Sequence, residues 1–317
     1  MDMYQKRKMR QEKVNNENEE ETQKQMNINW YPGHMAKTRR QITEDLKLVD
    51  IVIELLDARI PISSQNPNIA EITKNKKKII VLNKCDLSDD TQNKKWVEYF
   101  KNKGITAVLV DANSGKGIDN CIKEIENSMK EELELQAIKG RTGRRIKAMI
   151  LGIPNVGKSS FINRIAKRTT ANVGNKPGVT KQKQWIRINE KIELLDTPGV
   201  LWPKFESEEV ALNLCFTGSI KEEILDKIEI AYKLTEFLIK NYRKKLCDRY
   251  KITEDFIDKT LAQEQPENVN IYEIMLEIGR KRGCIMSGGR VDEEKTARIL
   301  LDEFKNGQLG KITIERI

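Results

Sequence analysis

Gly152-Ile153-Pro154-Asn155-Val156-Gly157-Lys158-Ser159-Ser160 contains the P-loop pattern G-x-x-x-x-G-K-[ST]. Ile146 to Leu151 precedes it as an apolar-rich run of strand length, and Phe161, Ile162 and Ile165 follow at helical spacing. In that setting of strand, glycine loop and helix, backbone N–H groups curl around a phosphate chain at the positive end of a helix. Lys158 then reaches the outer phosphates and the Ser159 hydroxyl holds Mg²⁺. Val156, Gly157 and Ser160 complete the expected cradle. The plain alternative is a glycine turn between a strand and a helix.

Outward towards the N-terminus, two further strand ends carry polar loops. Asn83-Lys84-Cys85-Asp86 follows a strand expected near Ile79 to Leu82, and Asp111-Ala112-Asn113-Ser114-Gly115-Lys116-Gly117 follows one over Ile105 to Val110. Ligands of open α/β sheets bind outside the carboxyl ends of strands. An aspartate in the fourth position of N-K-x-D accepts both the N1–H and the 2-amino hydrogens of guanine. Adenine lacks that pair of donors, so a desolvated Asp86 would be left unpaired against ATP. Asn83 to Asp86, with Asp111 and Ala112, are therefore candidate guanine-binding residues. Taken alone, N-K-x-D in a chain rich in Asn and Lys also describes an ordinary loop.

Outward towards the C-terminus, Thr169 to Lys183 is polar and broken by Gly174, Pro177 and Gly178, and Thr180 lies within it. A hairpin is expected from Trp185 to Ile188 and Ile192 to Leu195, turning at Asn189-Glu190 and ending in Asp196-Thr197-Pro198-Gly199. A D-x-x-G at a strand end directs its Asp towards Mg²⁺ and its Gly N–H towards the γ-phosphate. Ser159, Thr180 and Asp196 are thus the expected Mg²⁺ group, with Gly199 on the phosphate. Nucleotide switches usually run P-loop, threonine, D-x-x-G, N-K-x-D. Here N-K-x-D comes first, as in a circular permutation, which moves the chain ends and leaves the site intact.

The position after D-x-x-G, where a glutamine often orients the attacking water, is Val200, which cannot hydrogen-bond it. His34, the sole histidine, follows the Trp30-Tyr31-Pro32-Gly33 turn signal and is the candidate to position or polarise water. The competing reading makes it a packing residue beside two aromatics. A helix follows, with Met35, Ile42, Leu46 and Val49 on one face, then the near-continuous apolar run from Asp50 to Leu56. Helices are expected around Trp96 to Lys103 and from Ile118 to Ala137.

The 317 residues allow two domains, and 38% hydrophobic with 33% charged residues describes a soluble globular chain. The apolar runs fall short of the about 20 residues a bilayer helix needs, and no secretion signal opens the chain. A net charge of +9 favours a polyanionic partner such as nucleic acid, although a solvated lysine-rich surface fits too. The five cysteines are scattered without C-x-x-C spacing, as expected in a reducing cytoplasm without a zinc site. Residues 1–28 are almost wholly polar and read as a mobile tail. From about Glu208 onward the pattern is helical, with Ile228, Ala231, Leu234, Phe237 and Leu238 on a core stripe and Lys240, Arg243, Lys244 and Lys245 after it. Arg280, Lys281, Arg282 and Arg290 lie beside glycines in an expected loop, where they are candidates for RNA backbone contact.

The succession W-Y-P-G-H-M-A-K, N-K-C-D, D-A-N-S-G-K-G, G-I-P-N-V-G-K-S-S, P-G-V-T, D-T-P-G closely resembles the circularly permuted GTPases of the ribosome biogenesis GTPase A family (RbgA, also called YlqF). The resemblance runs from about Trp30 to the C-terminus. It departs at Asp111, where that family usually carries Ser or Thr. The resemblance implies a cytoplasmic GTPase that binds the assembling large ribosomal subunit, with hydrolysis slow alone and accelerated by the particle. It also implies a helical C-terminal domain on rRNA and points to the same His34. Asn155 is implied as a ligand of K⁺, beside GTP and Mg²⁺.

The expected fold is α/β. A circularly permuted P-loop GTPase domain over 29–205, a mostly parallel sheet with helices on both faces, precedes a smaller all-α RNA-binding domain over 206–317. The expected molecule is a monomer without membrane association, timing a late maturation step and its own release by hydrolysis. The rivals are an RNA-binding scaffold with a structural nucleotide site and a permuted GTPase acting on another RNA.

Overall fold

The computed structural model describes residues 32–317 apart from 141–142, 171–184, 196, 198–206, 221–225 and 265; the side chains of 32–38, 167–170 and 267 also lie outside the description. The tail expected over 1–28 and Trp30 and Tyr31 therefore lie outside the described residues. In chain order, α1 (Pro32–Leu46) leads into β1 (Ile51–Asp57), α2 (Pro67–Ile72), β2 (Lys77–Asn83), α3 (Asp90–Asn102) and β3 (Thr106–Leu109). Next come α4 (Ile118–Ser128), α5 (Lys130–Ile138), β4 (Ile146–Gly152), α6 (Lys158–Thr170), β5 (Trp185–Arg187) and β6 (Ile192–Leu195).

The strands form one sheet in the order β3-β2-β1-β4-β6-β5, parallel throughout except that β5 pairs antiparallel with β6 at the edge. Every residue of β1 is buried, as a central parallel strand covered on both faces requires. Alternation then sorts its side chains. Ile53 and Leu55, with Ile79, Val81, Ala148 and Ile150, share a core with Ile118 and Ile125 of α4 and Phe161 and Ile165 of α6. The intervening Val52, Met149 and Leu151 pack with Ile42 and Leu46 of α1, and Leu56, Ile80 and Leu82 with Trp96 and Phe100 of α3. Helices thus cover both faces, and the loops after β1, β2, β3 and β4 gather at one edge.

The remaining described elements are helical: α7 (Glu208–Phe216), α8 (Lys227–Tyr250), α9 (Glu254–Leu261), α10 (Glu267–Lys281) and α11 (Glu293–Lys305). Ala231, Leu234 and Leu238 of α8 join Ile274, Leu300 and Phe304 in a buried cluster continuous with the sheet core. Among the described residues, no helix is long and apolar enough to cross a membrane.

Several boundaries differ from the sequence expectation for local reasons. The Pro32-Gly33 pair opens α1, where a proline fits because the first helical N–H has no partner to lose. Asp89 caps α3 by accepting the N–H groups of Thr91 and Gln92, so that helix starts well before Trp96. The segment expected as one helix from Ile118 is interrupted at Met129, giving α4 and α5. The cluster Lys240 to Lys245 lies inside α8, which kinks at Tyr242 (φ −141°, ψ 36°) and continues to Tyr250. The helical pattern also stops short of the C-terminus: residues 306–317 are not helical and return to the sheet edge.

Candidate nucleotide site

β4 ends at Gly152 and α6 starts at Lys158, so the glycine loop lies between a central strand and a helix N-terminus. Gly157 has φ +96°, and a Cβ there would stand 2.3 Å from Asn83 Nδ2. Only a glycine permits both this left-handed turn and the approach of the second loop. Val156 is fully buried, while Ser159 and Ser160 are exposed on the first turn of α6. The Lys158 ammonium donates to the Thr197 carbonyl, and the Thr197 hydroxyl donates to the Ile150 carbonyl. The end of the D-x-x-G strand is thereby tied to the P-loop.

The N-K-x-D loop is joined to the P-loop by its first two residues. Asn83 Nδ2 donates to the Val156 carbonyl at 2.9 Å, and Asn83 Oδ1 accepts the Ala112 N–H at 3.1 Å. One buried amide therefore links the loops after β2, β3 and β4. Lys84 Nζ donates to the Asn155 carbonyl at 2.8 Å and contacts Asp57 Oδ2 at 3.0 Å. Cys85 is buried, and that burial pushes its thiol pKa up. Asp86 is exposed, and its pKa is raised by desolvation and by the neighbouring Asp111 carboxylate.

Asp111 has a structural use. Its Oδ1 accepts the N–H groups of Asn113 and Ser114 at 2.9 and 3.2 Å, closing its own loop. Burial works against its ionisation, but the Ser114 hydroxyl and these N–H groups hold its pKa below the ordinary value. Asn155 has φ +58°, and its Nδ2 donates to the Gly218 carbonyl beyond α7 at 2.7 Å.

Asn83 to Asp86, Asp111, Ala112 and Asn155 to Ser160 thus meet at one sheet edge. Thr180, Asp196 and Gly199 lie outside the described residues, as does the His34 side chain, whose backbone belongs to the first turn of α1. The described part fits a magnesium nucleotide: glycine backbone that a Cβ would obstruct, an exposed Ser159 hydroxyl of the hard-oxygen type Mg²⁺ takes, and an exposed Asp86.

The RNA candidates lie elsewhere, and the loop expected around them is partly helix. Gly279 to Lys281 belongs to α10, where Gly279 packs so closely that a Cβ would stand 2.3 Å from Thr296 Oγ1. Arg280 and Lys281 pair with Glu277 at 3.0 and 3.7 Å. Arg282 pairs with Glu303 and lies over the Tyr250 ring. Arg290 is exposed on the Gly288-Gly289 turn, with no carboxylate in ion-pair range among the described residues.

Sequence reasoning missed Asp57 and Arg59, both buried, at and just beyond the carboxyl end of β1. Arg59 Nε and Nη2 donate to Asp57 Oδ1 and Oδ2 at 3.0 and 2.8 Å. Burial opposes the Asp57 charge, yet Arg59 and Lys84 together hold its carboxyl well below the usual range. The available signal was the strand-end rule, applied to the strand that carries no recognised motif.

Known proteins resemble this chain in sequence and in fold. Residues 147–271 match the family model described as 50S ribosome-binding GTPase, and residues 68–206 that described as RsgA GTPase. Ribosome biogenesis GTPase A of Bacillus cereus is 46% identical over 290 residues, covering 92% of this chain and 94% of that protein. Its namesake from Thermotoga maritima is 30% identical, covering 91% and 94%. The crystal structure of GNP-bound YlqF from T. maritima matches with a TM-score of 0.59 at 26% identity, over 88% of this chain and 98% of that one.

Proposed function

The chain belongs to the ribosome biogenesis GTPase A family, and from that premise we propose that it hydrolyses GTP on the large ribosomal subunit precursor, timing a late maturation step and its own release. GTP hydrolysis and a place in ribosome assembly come with the family. The proposal adds the large-subunit particle and its rRNA, acceleration of hydrolysis by that particle, a cytoplasmic location and a monomeric state. It divides the chain into a permuted GTPase domain over 29–205 and a helical RNA-binding domain over 206–317.

The observation that supports this reading most is the Asn83 amide, which joins the guanine loop to the P-loop across 73 residues of sequence in the permuted order. In the proposal Asp86 accepts from the guanine base, Lys158 and the 155–160 backbone hold the phosphates, and Gly199 N–H meets the γ-phosphate. Ser159, Thr180 and Asp196 hold Mg²⁺, which neutralises charge on the phosphate oxygens. The Asn155 carbonyl oxygen holds K⁺, and His34 orients the attacking water.

Turnover of GTP and ATP measured with and without purified large subunits, in matched potassium and sodium buffers, tests the scheme. GTP-selective hydrolysis that rises with large subunits and with potassium is expected. Binding without turnover in any condition would favour a scaffold with a structural nucleotide site. Turnover indifferent to large subunits would direct the search to another RNA.

A further inference from the structure

A buried arginine is costly to place unless all of its fork is used. Two arms of the Arg59 fork hold Asp57. The third, Nη1, reaches the carbonyl oxygens of Phe304 and Lys305 at 3.4 and 3.3 Å, at the C-terminal end of α11. Those carbonyls are the negative pole of the helix, a suitable partner for a guanidinium. The Arg59 guanidinium also sits 5.5 Å from the centroid of the Phe304 ring. One side chain therefore contacts both the helical region and the carboxylate that holds Lys84.

The C-terminal residues strengthen this connection. Ile314 and Glu315 donate their N–H groups to the Arg59 carbonyl at 2.9 and 3.2 Å, and Ile312 donates to the carbonyl of Leu87, next to Asp86, at 2.9 Å. Thr313 Oγ1 accepts the Asp89 N–H at 2.9 Å. The segment is held from α8 by Tyr242, at the helix kink, whose hydroxyl donates to the Thr313 carbonyl and accepts the Thr313 N–H, at 3.0 and 3.1 Å. The Asn155 amide on Gly218 is a separate link from the P-loop to the end of α7.

We infer that Arg59 is a positioning residue for guanine-nucleotide binding, through which the helical C-terminal region sets the grip of the site. A shift of α11 relative to the sheet removes the Nη1 carbonyl partners, disturbs the Asp57 fork and loosens Lys84 from the Asn155 carbonyl. Nucleotide release is then governed from the region proposed to meet RNA. The inference rests on the guanine-nucleotide reading of the site.

The test is the dissociation rate of fluorescently labelled GDP from the full chain and from Arg59→Lys, Tyr242→Phe and Lys259→Ala. Lysine keeps a positive charge beside Asp57 but cannot hold both carboxylate oxygens and the helix carbonyls. Arg59→Lys is expected to release GDP about 10-fold faster, the equivalent of about one net hydrogen bond. Tyr242→Phe touches none of the site residues and is expected to release it about threefold faster, since only part of the loss of its two Thr313 hydrogen bonds reaches the site. Lys259→Ala, which loses an exposed pair with Asp255, serves as the control and should release GDP as the unmodified chain does. In hydrolysis, KM should rise with kcat within about twofold, because the variants affect binding and leave the reacting atoms untouched.

Thermal melting identifies variants that remain folded. If both folded variants release GDP at the unmodified rate, the coupling of the helical region to the site through Arg59 is refuted, whatever their melting temperatures. If Arg59→Lys does not fold, Tyr242→Phe decides alone. An unmodified chain that binds no guanine nucleotide overturns the reading of the site itself, an outcome distinct from equal rates.

Discussion

The guanine end of the nucleotide site and the arginine-rich corner of the helical region both concentrate charge, but they use it differently. Around Asp57, a carboxylate is enclosed by Arg59 and Lys84, and the arrangement leaves Asp86 exposed and available to a ligand. Around Glu303, Arg249 and Arg282 close on a carboxylate, and Glu277 takes Arg280 and Lys281. A basic run in the sequence is therefore a poor measure of cationic surface. These arginines and the lysine are turned towards carboxylates of their own fold, and Arg290 stands apart from them.

Replacing the exposed carboxylate of the first region should have the largest effect. Asp86→Asn substitutes an amide whose N–H₂ faces the two guanine donors, so two charge-assisted hydrogen bonds disappear. GTP affinity should fall about 10³-fold. Xanthosine triphosphate, whose 2-oxo group can accept from the new amide, should gain relative to GTP in competition binding. Equal ATP and GTP affinity in the unmodified chain would remove the guanine end from the comparison.

His34→Ala addresses turnover without changing the base end. The expected outcome is near-normal GTP binding and a fall of about 10²-fold in turnover stimulated by large subunits, the lower end for a positioned acid or base. Normal stimulated turnover would leave water positioning to the ribosomal particle.

Glu303→Gln tests whether the second region uses its charges inward. Burial disfavours the Glu303 charge, but Arg249 and Arg282 reverse this and hold its pKa below the ordinary 4.5. A carboxyl with a lowered folded pKa stabilises the native state above its unfolded pKa. That contribution is lost as pH falls through the folded value. Denaturant unfolding should show Glu303→Gln less stable by about 2 kcal/mol at pH 7, less than for a fully buried pair because both arginines are partly exposed. Its difference from the unmodified chain should shrink as pH drops below 4.5. A difference that does not vary with pH would mean the pair carries no net stabilisation.

What the sequence made legible follows from where the physics is local. The P-loop, N-K-x-D and the parallel sheet depend on short patterns, and β1, β2 and β4 fall close to their expected ranges because continuous apolar runs admit few other structures. The helix start at Asp90 was missed because a cap depends on one side chain, Asp89, whose effect outweighs the apolar spacing. The break at Met129 leaves no comparable mark in the apolar pattern. The strand-end rule could have pointed to Arg59, but its link to α11 was not legible, because that partner is 245 residues away and consists of backbone oxygen. The Lys281 to Glu277 pair was readable from its i, i+4 spacing, whereas the Arg282 to Glu303 pair needed the packing of α10 against α11.

The smallest effect concerns the proposed RNA contact, and it is the one that separates exposed from internal charge. Arg290 is exposed beside a turn where Gly288 and Gly289 have φ of +90° and +78°, so its removal should disturb little packing. Each phosphate deprived of its cation should lower the slope of log affinity against log salt by about 0.7 to 0.9. Arg290→Ala should therefore weaken binding to large-subunit particles by a few-fold, flatten the salt dependence by about that amount and leave melting unchanged. Arg282→Ala should behave in the opposite way: it leaves Glu303 with one cation fewer and uncovers Tyr250, so it lowers the melting temperature. Its effect on the salt slope should be smaller than that of Arg290→Ala. If instead Arg282→Ala flattens the slope and Arg290→Ala does not, the Arg282 guanidinium exchanges Glu303 for RNA phosphate on binding. The internal pairing of this corner would then be a resting arrangement that the particle opens.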